Sequence, residues 1–208
     1  MEQQKMLLCE LGRRLWSRGY VASNDGNLSL KVSDHCFLVT PSGVSKGALQ
    51  PEMLLLVDEL GQLVAPSSYN ASSELPMHLC CYRVRPDVGG VVHAHPPAAT
   101  AFACARQPID QPVLGEFLMT LGEVPVAPYG RTGTTEIPAA IEPLLPGHDG
   151  ILLANHGALT VGPDLLHAYY QMERLEQTAQ IYLNVKCLGG GVPLPAKEVE
   201  ALRGIGQR

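Results

Sequence analysis

Residues 91–100 read VVHAHPPAAT, a short apolar run that ends in two histidines and is stopped by two prolines. Alternate side chains of a strand point to the same face, so His93 and His95 project together while Val92 and Ala94 face the other way. Two neighbouring imidazoles suit a cation such as zinc. For a lone HxH pattern, two polar residues at a strand end are the better interpretation because the pattern is short and common, so a metal site needs a further ligand.

A second apolar strand supplies that ligand. Residues 152–162 read LLANHGALTVG, in which the strand ends at Asn155, His156 follows and Gly157 opens a tight turn. Rigid elements commonly present functional groups at their ends. Three histidines that leave one coordination position open are typical of catalytic zinc. The sequence therefore predicts one zinc ion on His93, His95 and His156, and it predicts surface or packing roles for His35, His148 and His167.

Composition limits the remaining function classes. The chain has 208 residues, 46% hydrophobic and 17% charged, with a formal net charge of -5. This is typical of one folded domain spanning 1–208, whose tail from about 189 we expect to be loosely attached. The acidic balance argues against a nucleic-acid partner, and the apolar runs are too short for a membrane partner. The six cysteines lack CxxC spacing, which favours reduced thiols and a cytoplasmic location.

The order of apolar patterns predicts an α/β fold. The first segment, MEQQKMLLCELGRRLW, predicts an amphipathic helix whose apolar face is Met6, Leu7, Leu11 and Leu15. Short strands then alternate with helices, and several neighbouring strands are joined only by short turns. Such turns favour antiparallel pairing, so we expect a central mixed, mostly antiparallel sheet covered by helices.

The stretch SSELPMHLCCYRVRP, residues 72–86, predicts a helix capped by Ser72 or Ser73, with Glu74 in its first turn. Glu74 is the best acid–base candidate, although an acidic residue favoured by the helix dipole would look the same. A helix start with two hydroxyls also suits a phosphate. His78 lies one turn after Glu74, where a role in the site and a role in helix packing are equally compatible with the sequence.

Two further polar turns could join that phosphate site. Asn27 lies in DGN, and Ser42 with Gly43 lies in TPSG. Each turn alone is a weak signal, because such turns are common. Five motifs in order, DGN, TPSG, SSE, VVHAH and NHG, nevertheless resemble those of the class II aldolase/adducin family over roughly residues 5–185.

The resemblance implies a three-layer α/β/α fold and a homotetramer with active sites near the subunit interfaces. It also implies zinc on His93, His95 and His156, with Glu74 as the acid–base group and as a further metal ligand in the substrate-free state. The implied phosphate pocket consists of Asn27, Ser42, Gly43, Ser72 and Ser73. The implied reaction is the reversible cleavage of a ketose 1-phosphate, such as L-fuculose 1-phosphate, to dihydroxyacetone phosphate and an aldehyde such as lactaldehyde.

Alternative reactions on the same scaffold stay open. Aldolases of this family carry a tyrosine for the aldehyde side in the segment that reads PVLGEFLMTLGEV here, where Glu116 is the acidic candidate. Related dehydratases, such as methylthioribulose-1-phosphate dehydratase, use a glutamate from a comparable segment, so Glu116 is a candidate second acid–base group. Related epimerases show SSD rather than SSE. An adducin-like interaction module would lack the metal histidines, so the three histidines and Glu74 favour an enzyme.

Overall fold

The computed structural model describes residues 1–206. The described chain contains seven helices: α1 Glu2–Ser17, α2 Leu75–Val84, α3 Pro97–Ala105, α4 Gly115–Thr120, α5 Glu136–Ile141, α6 Leu165–Cys187 and α7 Ala196–Gly206. It also contains seven strands: β1 Asn27–Ser33, β2 Cys36–Val39, β3 Leu55–Val57, β4 Gly90–Ala94, β5 Val126–Ala127, β6 Gly150–Leu153 and β7 Gly157–Gly162.

The strands form one mixed sheet in the order β3-β2-β1-β4-β7-β6-β5. Only the β5–β6 pair is parallel, and each of the other neighbouring pairs is antiparallel. The predicted α/β fold with a mixed, mostly antiparallel sheet is therefore confirmed. Strand β4, which carries the VVHA sequence, lies at the centre of the sheet between β1 and β7.

Helices cover both faces of the sheet. Helices α1, α3 and α6 pack on one face, where Leu28, Val92 and Ala158 belong to the first buried cluster. Helices α2 and α5 pack on the other, where Val91 and Leu159 belong to the second cluster. Because side chains alternate between faces, the side chains of His93, Asn27 and Ser29 lie on the α2 side. The central strands thus direct polar side chains into a covered layer.

Helix α1 buries a different face from the predicted one. Met6 is exposed and Leu7 is largely exposed, whereas Leu8 is buried together with the predicted Leu11 and Leu15. The reason is the contact of α1 with the short 3-10 helix at residues 46–48, because the two helices approach each other closely at Gly12. The prediction of a helix was right, but its apolar face is rotated.

The segment after Gly189 contains α7, which packs against α4. The backbone N–H of Leu194 donates to the carbonyl of Pro112 at 2.8 Å. These contacts place the tail against α4 and the segment before it. That the tail is loosely attached and that residues 1–208 form one domain stay predictions. None of the described helices combines the length and apolar character needed to cross a membrane.

Candidate metal and acid–base site

The three predicted histidines meet at one edge of the central strands. His93 lies on β4, His95 follows that strand directly, and His156 lies in the turn between β6 and β7. One ring nitrogen from each of the three lies within 4.8 Å of the other two. The Nε2 atoms of His93 and His95 are 3.2 Å apart. Antiparallel pairing of β4 with β7 therefore brings together imidazoles that are far apart in sequence.

Gly157 makes this arrangement sterically feasible. A Cβ atom at that position would lie 2.5 Å from Cδ2 of His95 and 2.6 Å from the carbonyl oxygen of Ala94. Both distances are shorter than van der Waals contact, so a side chain would displace the His95 ring. The NHG motif thus supplies one imidazole and the space for another.

One nitrogen of each of the three rings faces a common point. His93 Nδ1 donates to the carbonyl of Ala158 at 2.9 Å, so its Nε2 is the unprotonated nitrogen in a neutral ring. Burial lowers the pKa of His93 to about 3, which keeps the ring neutral. Burial, followed by the charge of His156, also lowers the pKa of His95. Neutral imidazoles whose ring nitrogens converge in this way fit a divalent cation between them.

Glu74 completes the cluster. Its Oε1 lies 3.2 Å from Nε2 of His156 and its Oε2 lies 3.4 Å from Nε2 of His93. Burial raises the pKa of Glu74, but the neighbouring imidazoles and the amide of Asn27 outweigh burial and lower the pKa below its ordinary value. The arrangement is one ionised carboxylate facing three nitrogen ligands, which is able both to hold a cation and to move a proton.

The helix that carries Glu74 starts later than predicted. Helix α2 begins at Leu75, and Glu74 is the N-cap residue, whose carboxylate makes no cap hydrogen bond. Instead, Ser72 Oγ accepts from the N–H of Glu74 at 3.2 Å. The expectation that Ser72 or Ser73 is the cap residue, with Glu74 inside the first turn, is therefore wrong. The Glu74 carboxylate contacts the histidine cluster and Asn27, so its side chain is directed away from the helix.

The structure brings most of the predicted phosphate residues together. Ser42 N–H donates to the carbonyl of Asn70 at 2.8 Å, and Pro41 pairs with Ala71, which places the Ser42–Gly43 turn beside Ser72. Ser42, Gly43 and Ser73 are exposed. The amide of Asn27, however, donates to Glu74 Oε2 at 2.7 Å and to Ser72 Oγ at 3.4 Å. Both amide protons are thus directed at protein groups.

Glu116 is placed apart from this cluster in the described chain. It is exposed in the first turn of α4 and lines a groove with Arg18, Glu173 and residues of α6, and none of the three histidines lines that groove. His78, in contrast, is buried and contacts Asn27. The sequence interpretation missed Ser29 and Tyr82, which bond to each other beside His78. The sequence feature that could have indicated Ser29 is the polar residue at every second position of β1, a strand that is buried on both faces.

Known proteins share this fold. Residues 6–183 match the family model described as Class II Aldolase and Adducin N-terminal domain. The chain belongs to the class II aldolase and adducin family. A solved structure named L-fuculose 1-phosphate aldolase has a TM-score of 0.92 and 30% identity, and the match covers 100% of this chain and 98% of that chain.

Two curated relatives bear different names. A 3-oxo-tetronate 4-phosphate decarboxylase from Haemophilus influenzae is 35% identical over 188 residues, covering 88% of each chain. An L-fuculose phosphate aldolase from Methanococcus vannielii is 34% identical over 176 residues, covering 84% of this chain and 91% of its own length. These names confirm the prediction of an enzyme, a carbon–carbon lyase of the class II aldolase type, and leave its substrate undecided.

Proposed function

We propose that the chain is a zinc-dependent lyase that breaks a carbon–carbon bond of a sugar phosphate, forms the enediolate of dihydroxyacetone phosphate and protonates it to release dihydroxyacetone phosphate. The observation that carries the proposal is the largely buried Glu74 carboxylate, 9% exposed, which lies 3.2–3.4 Å from two of three convergent imidazoles. The relatives' names describe lyases that act on phosphorylated ketoses or keto acids.

The two substrate classes lead to one intermediate. Cleavage of the C3–C4 bond of a ketose 1-phosphate releases an aldehyde and leaves an enediolate over C2 and C3. Loss of carbon dioxide from a 3-oxo-tetronate 4-phosphate leaves the same enediolate, because the carbonyl lies next to the carbon that loses the carboxylate. Protonation at that carbon gives dihydroxyacetone phosphate in both cases. The two reactions therefore differ in the fragment that leaves, which is an aldehyde in the first and carbon dioxide in the second.

The residues of the site have different roles in this reaction. A zinc ion bound by His93, His95 and His156 would act as a Lewis acid that polarises the substrate carbonyl and stabilises negative charge on its oxygens. Glu74 then moves the proton at the adjacent carbon. Its Oε2 is held by Asn27 at 2.7 Å and its Oε1 lies 3.2 Å from Nε2 of His156, so the carboxylate is oriented towards the histidine cluster, where the substrate carbonyl would bind.

The phosphate of the substrate would lie between the Ser42–Gly43 turn and the Ser72–Ser73 turn. These turns are adjacent and expose small polar residues beside Glu74. Binding energy from a phosphate that does not react would position the carbonyl near the acid–base group. Asn27, the remaining predicted member of this pocket, would border it from the side of Ser72.

Two observations favour decarboxylation as the second candidate reaction beside aldol cleavage. The first is the similarity to the decarboxylase from Haemophilus influenzae. The second is the segment 112–124, which contains no tyrosine. Aldol cleavage must remove a proton from the hydroxyl group that becomes the aldehyde, whereas departing carbon dioxide needs no such proton transfer. A site without that tyrosine therefore suits loss of carbon dioxide.

Product analysis tests this proposal. The zinc-loaded protein is incubated separately with a 3-oxo-tetronate 4-phosphate and with L-fuculose 1-phosphate, and dihydroxyacetone phosphate, carbon dioxide and aldehyde are measured. We expect dihydroxyacetone phosphate from at least one of them, with carbon dioxide from the first or lactaldehyde from the second. Loss of water or epimerisation without dihydroxyacetone phosphate would instead assign a dehydratase or an epimerase.

Assembly and location belong to the same proposal. We expect a homotetramer with active sites near the subunit interfaces, and sedimentation equilibrium should give the mass of four chains. A cytoplasmic location is supported by the six cysteines, all of which are unpaired. Cell fractionation that recovers the protein outside the cytoplasm would contradict it.

A further inference from the structure

A row of polar side chains lies behind Glu74, between strand β1 and helix α2. Asn27 Nδ2 is 2.7 Å from Glu74 Oε2, and Asn27 Oδ1 is 2.5 Å from His78 Nε2. His78 Nδ1 is 2.7 Å from Ser29 Oγ, which is 2.8 Å from the hydroxyl of Tyr82. The four residues behind Glu74 are all buried, namely Asn27, His78, Ser29 and Tyr82. The row connects the candidate acid–base group with the interior of the protein.

The carboxylate fixes the direction of every hydrogen bond in this row. A carboxylate only accepts, so Asn27 must turn its NH2 group towards Glu74 and its oxygen towards His78. His78 Nε2 must then donate, which leaves Nδ1 as an acceptor in the neutral ring. Ser29 donates to Nδ1 and accepts from the hydroxyl of Tyr82. Only one tautomer of His78 is compatible with this order.

Burial keeps each member neutral and in place. Burial lowers the pKa of His78 to about 4, so the ring stays uncharged at neutral pH. Burial also raises the pKa of Tyr82 well above its ordinary value. A reversed Asn27 amide would direct its oxygen at the carboxylate and its NH2 at a donor nitrogen. Both contacts would be repulsive, and buried polar groups without partners are costly.

We infer that His78 is a positioning residue for Glu74, acting through Asn27. By donating to Asn27 Oδ1, His78 holds one amide proton of Asn27 on Oε2 of Glu74 and so fixes the orientation of the carboxylate towards the substrate. The inference rests on the proposed function of Glu74 in proton transfer. It changes the role of the DGN asparagine from a phosphate ligand to the link between His78 and the carboxylate.

Isotope exchange tests the inference without any cleavage step. Zinc-loaded protein and dihydroxyacetone phosphate are mixed in deuterium oxide, and loss of the carbon-bound proton is followed. His78→Leu should lower the turnover number for exchange by on the order of 10–100-fold, since a misplaced catalytic group costs about this much. The KM for dihydroxyacetone phosphate and the zinc content should change little. His78→Gln retains a donor and an acceptor and should recover most of the rate.

Thr160→Val serves as the matched control. Thr160 is buried in the same sheet and donates to the carbonyl of Ala168 at 2.7 Å, on the face of the sheet opposite to α2 and Glu74. This variant should lose stability without losing exchange. If His78→Leu does not fold, Asn27→Ala tests the same link, and a defect confined to KM would overturn the inference and make Asn27 a phosphate ligand.

Nuclear magnetic resonance of the ring nitrogens gives a readout independent of activity. In the wild-type protein His78 should be neutral, protonated at Nε2 and unprotonated at Nδ1. The opposite tautomer would overturn the inference whatever the kinetic result. A folded His78→Leu that exchanges as fast as an active wild type would overturn the inference alone. A wild type without any exchange would overturn the proposed function, and the inference with it.

Discussion

His93, His95 and His156 occupy three different environments, although they meet at one point. His93 is fully buried with Nδ1 bonded to Ala158. His95 is partly exposed, and its Nδ1 lies 3.7 Å from a carboxylate oxygen of Asp25. His156 has a buried Nδ1 without a hydrogen-bond partner in the described chain. Since outer hydrogen bonds fix ligand rings, His93 is the most strongly oriented of the three.

This order makes His93 the most informative ligand to remove. We predict that wild-type protein binds about one zinc ion per chain and that His93→Ala loses most of that zinc, because three protein ligands are needed for a catalytic site. Metal content after dialysis measures this, with His35→Ala as control, since His35 is exposed in the β1–β2 turn. Full zinc content in a folded His93→Ala protein would contradict the assignment.

Individual residues show how much of the candidate site could be predicted from the sequence. The histidines and Glu74 were identifiable because each lies at a strand or helix end and in a recognisable motif. The link from His78 to Asn27 was not, because it depends on β1 and α2 packing face to face. Asn27 and Ser29 alternate with Leu28 and Leu30, a pattern typical of a strand with one face in solvent. The strand is central instead, so its polar face needed buried partners.

At the scale of elements, helix α3 is fixed by a carboxylate from another helix. Glu176 of α6 is buried, and its two oxygens accept from the N–H groups of Ala98 and Ala99 at 3.0 and 2.9 Å. These are among the first backbone N–H groups of α3, which lack partners within their own helix. Because α3 begins two residues after His95, this contact also fixes the chain that leaves the histidine cluster.

We predict that Glu176→Gln lowers the free energy of unfolding by about 1–3 kcal/mol, the cost of leaving a buried backbone donor unsatisfied. Glutamine has one acceptor oxygen and would turn an NH2 group towards one of the two N–H groups. Denaturant titration measures the change, and Glu123→Gln is the control because Glu123 is exposed. An unchanged midpoint for Glu176→Gln would show that the contact adds little stability.

Element boundaries were less predictable than element types. The pattern of residues 163–188 predicts one long helix, which is α6, and its N-cap Asp164 accepts from the N–H of His167 at 2.8 Å. The rotated face of α1 and the late start of α2 were not visible. Both depend on tertiary contacts, the first at Gly12 and the second at the histidine cluster. Local helix propensity does not predict such contacts.

At the scale of the whole molecule, the sheet order places β4 between β1 and β7, which brings the DGN, VVHAH and NHG motifs together. The sequence predicted a mixed, mostly antiparallel sheet from its short turns. It could not supply the strand order, because order depends on long-range pairing. The resemblance to the family predicted a three-layer α/β/α fold, and the fold shared with the structure named L-fuculose 1-phosphate aldolase, at a TM-score of 0.92, agrees with that prediction.

The most direct test of the account is hydrogen exchange by Glu74→Gln. Zinc-loaded wild type and variant are mixed with dihydroxyacetone phosphate in deuterium oxide, a half-reaction that needs neither aldehyde nor carbon dioxide. We predict that Glu74→Gln folds, retains zinc and dihydroxyacetone phosphate, and exchanges the carbon-bound proton about 10²–10⁴-fold more slowly, as expected for loss of a general base. Exchange at the wild-type rate would contradict the account, reduce Glu74 to a charge at a helix start and make Glu116 the next candidate.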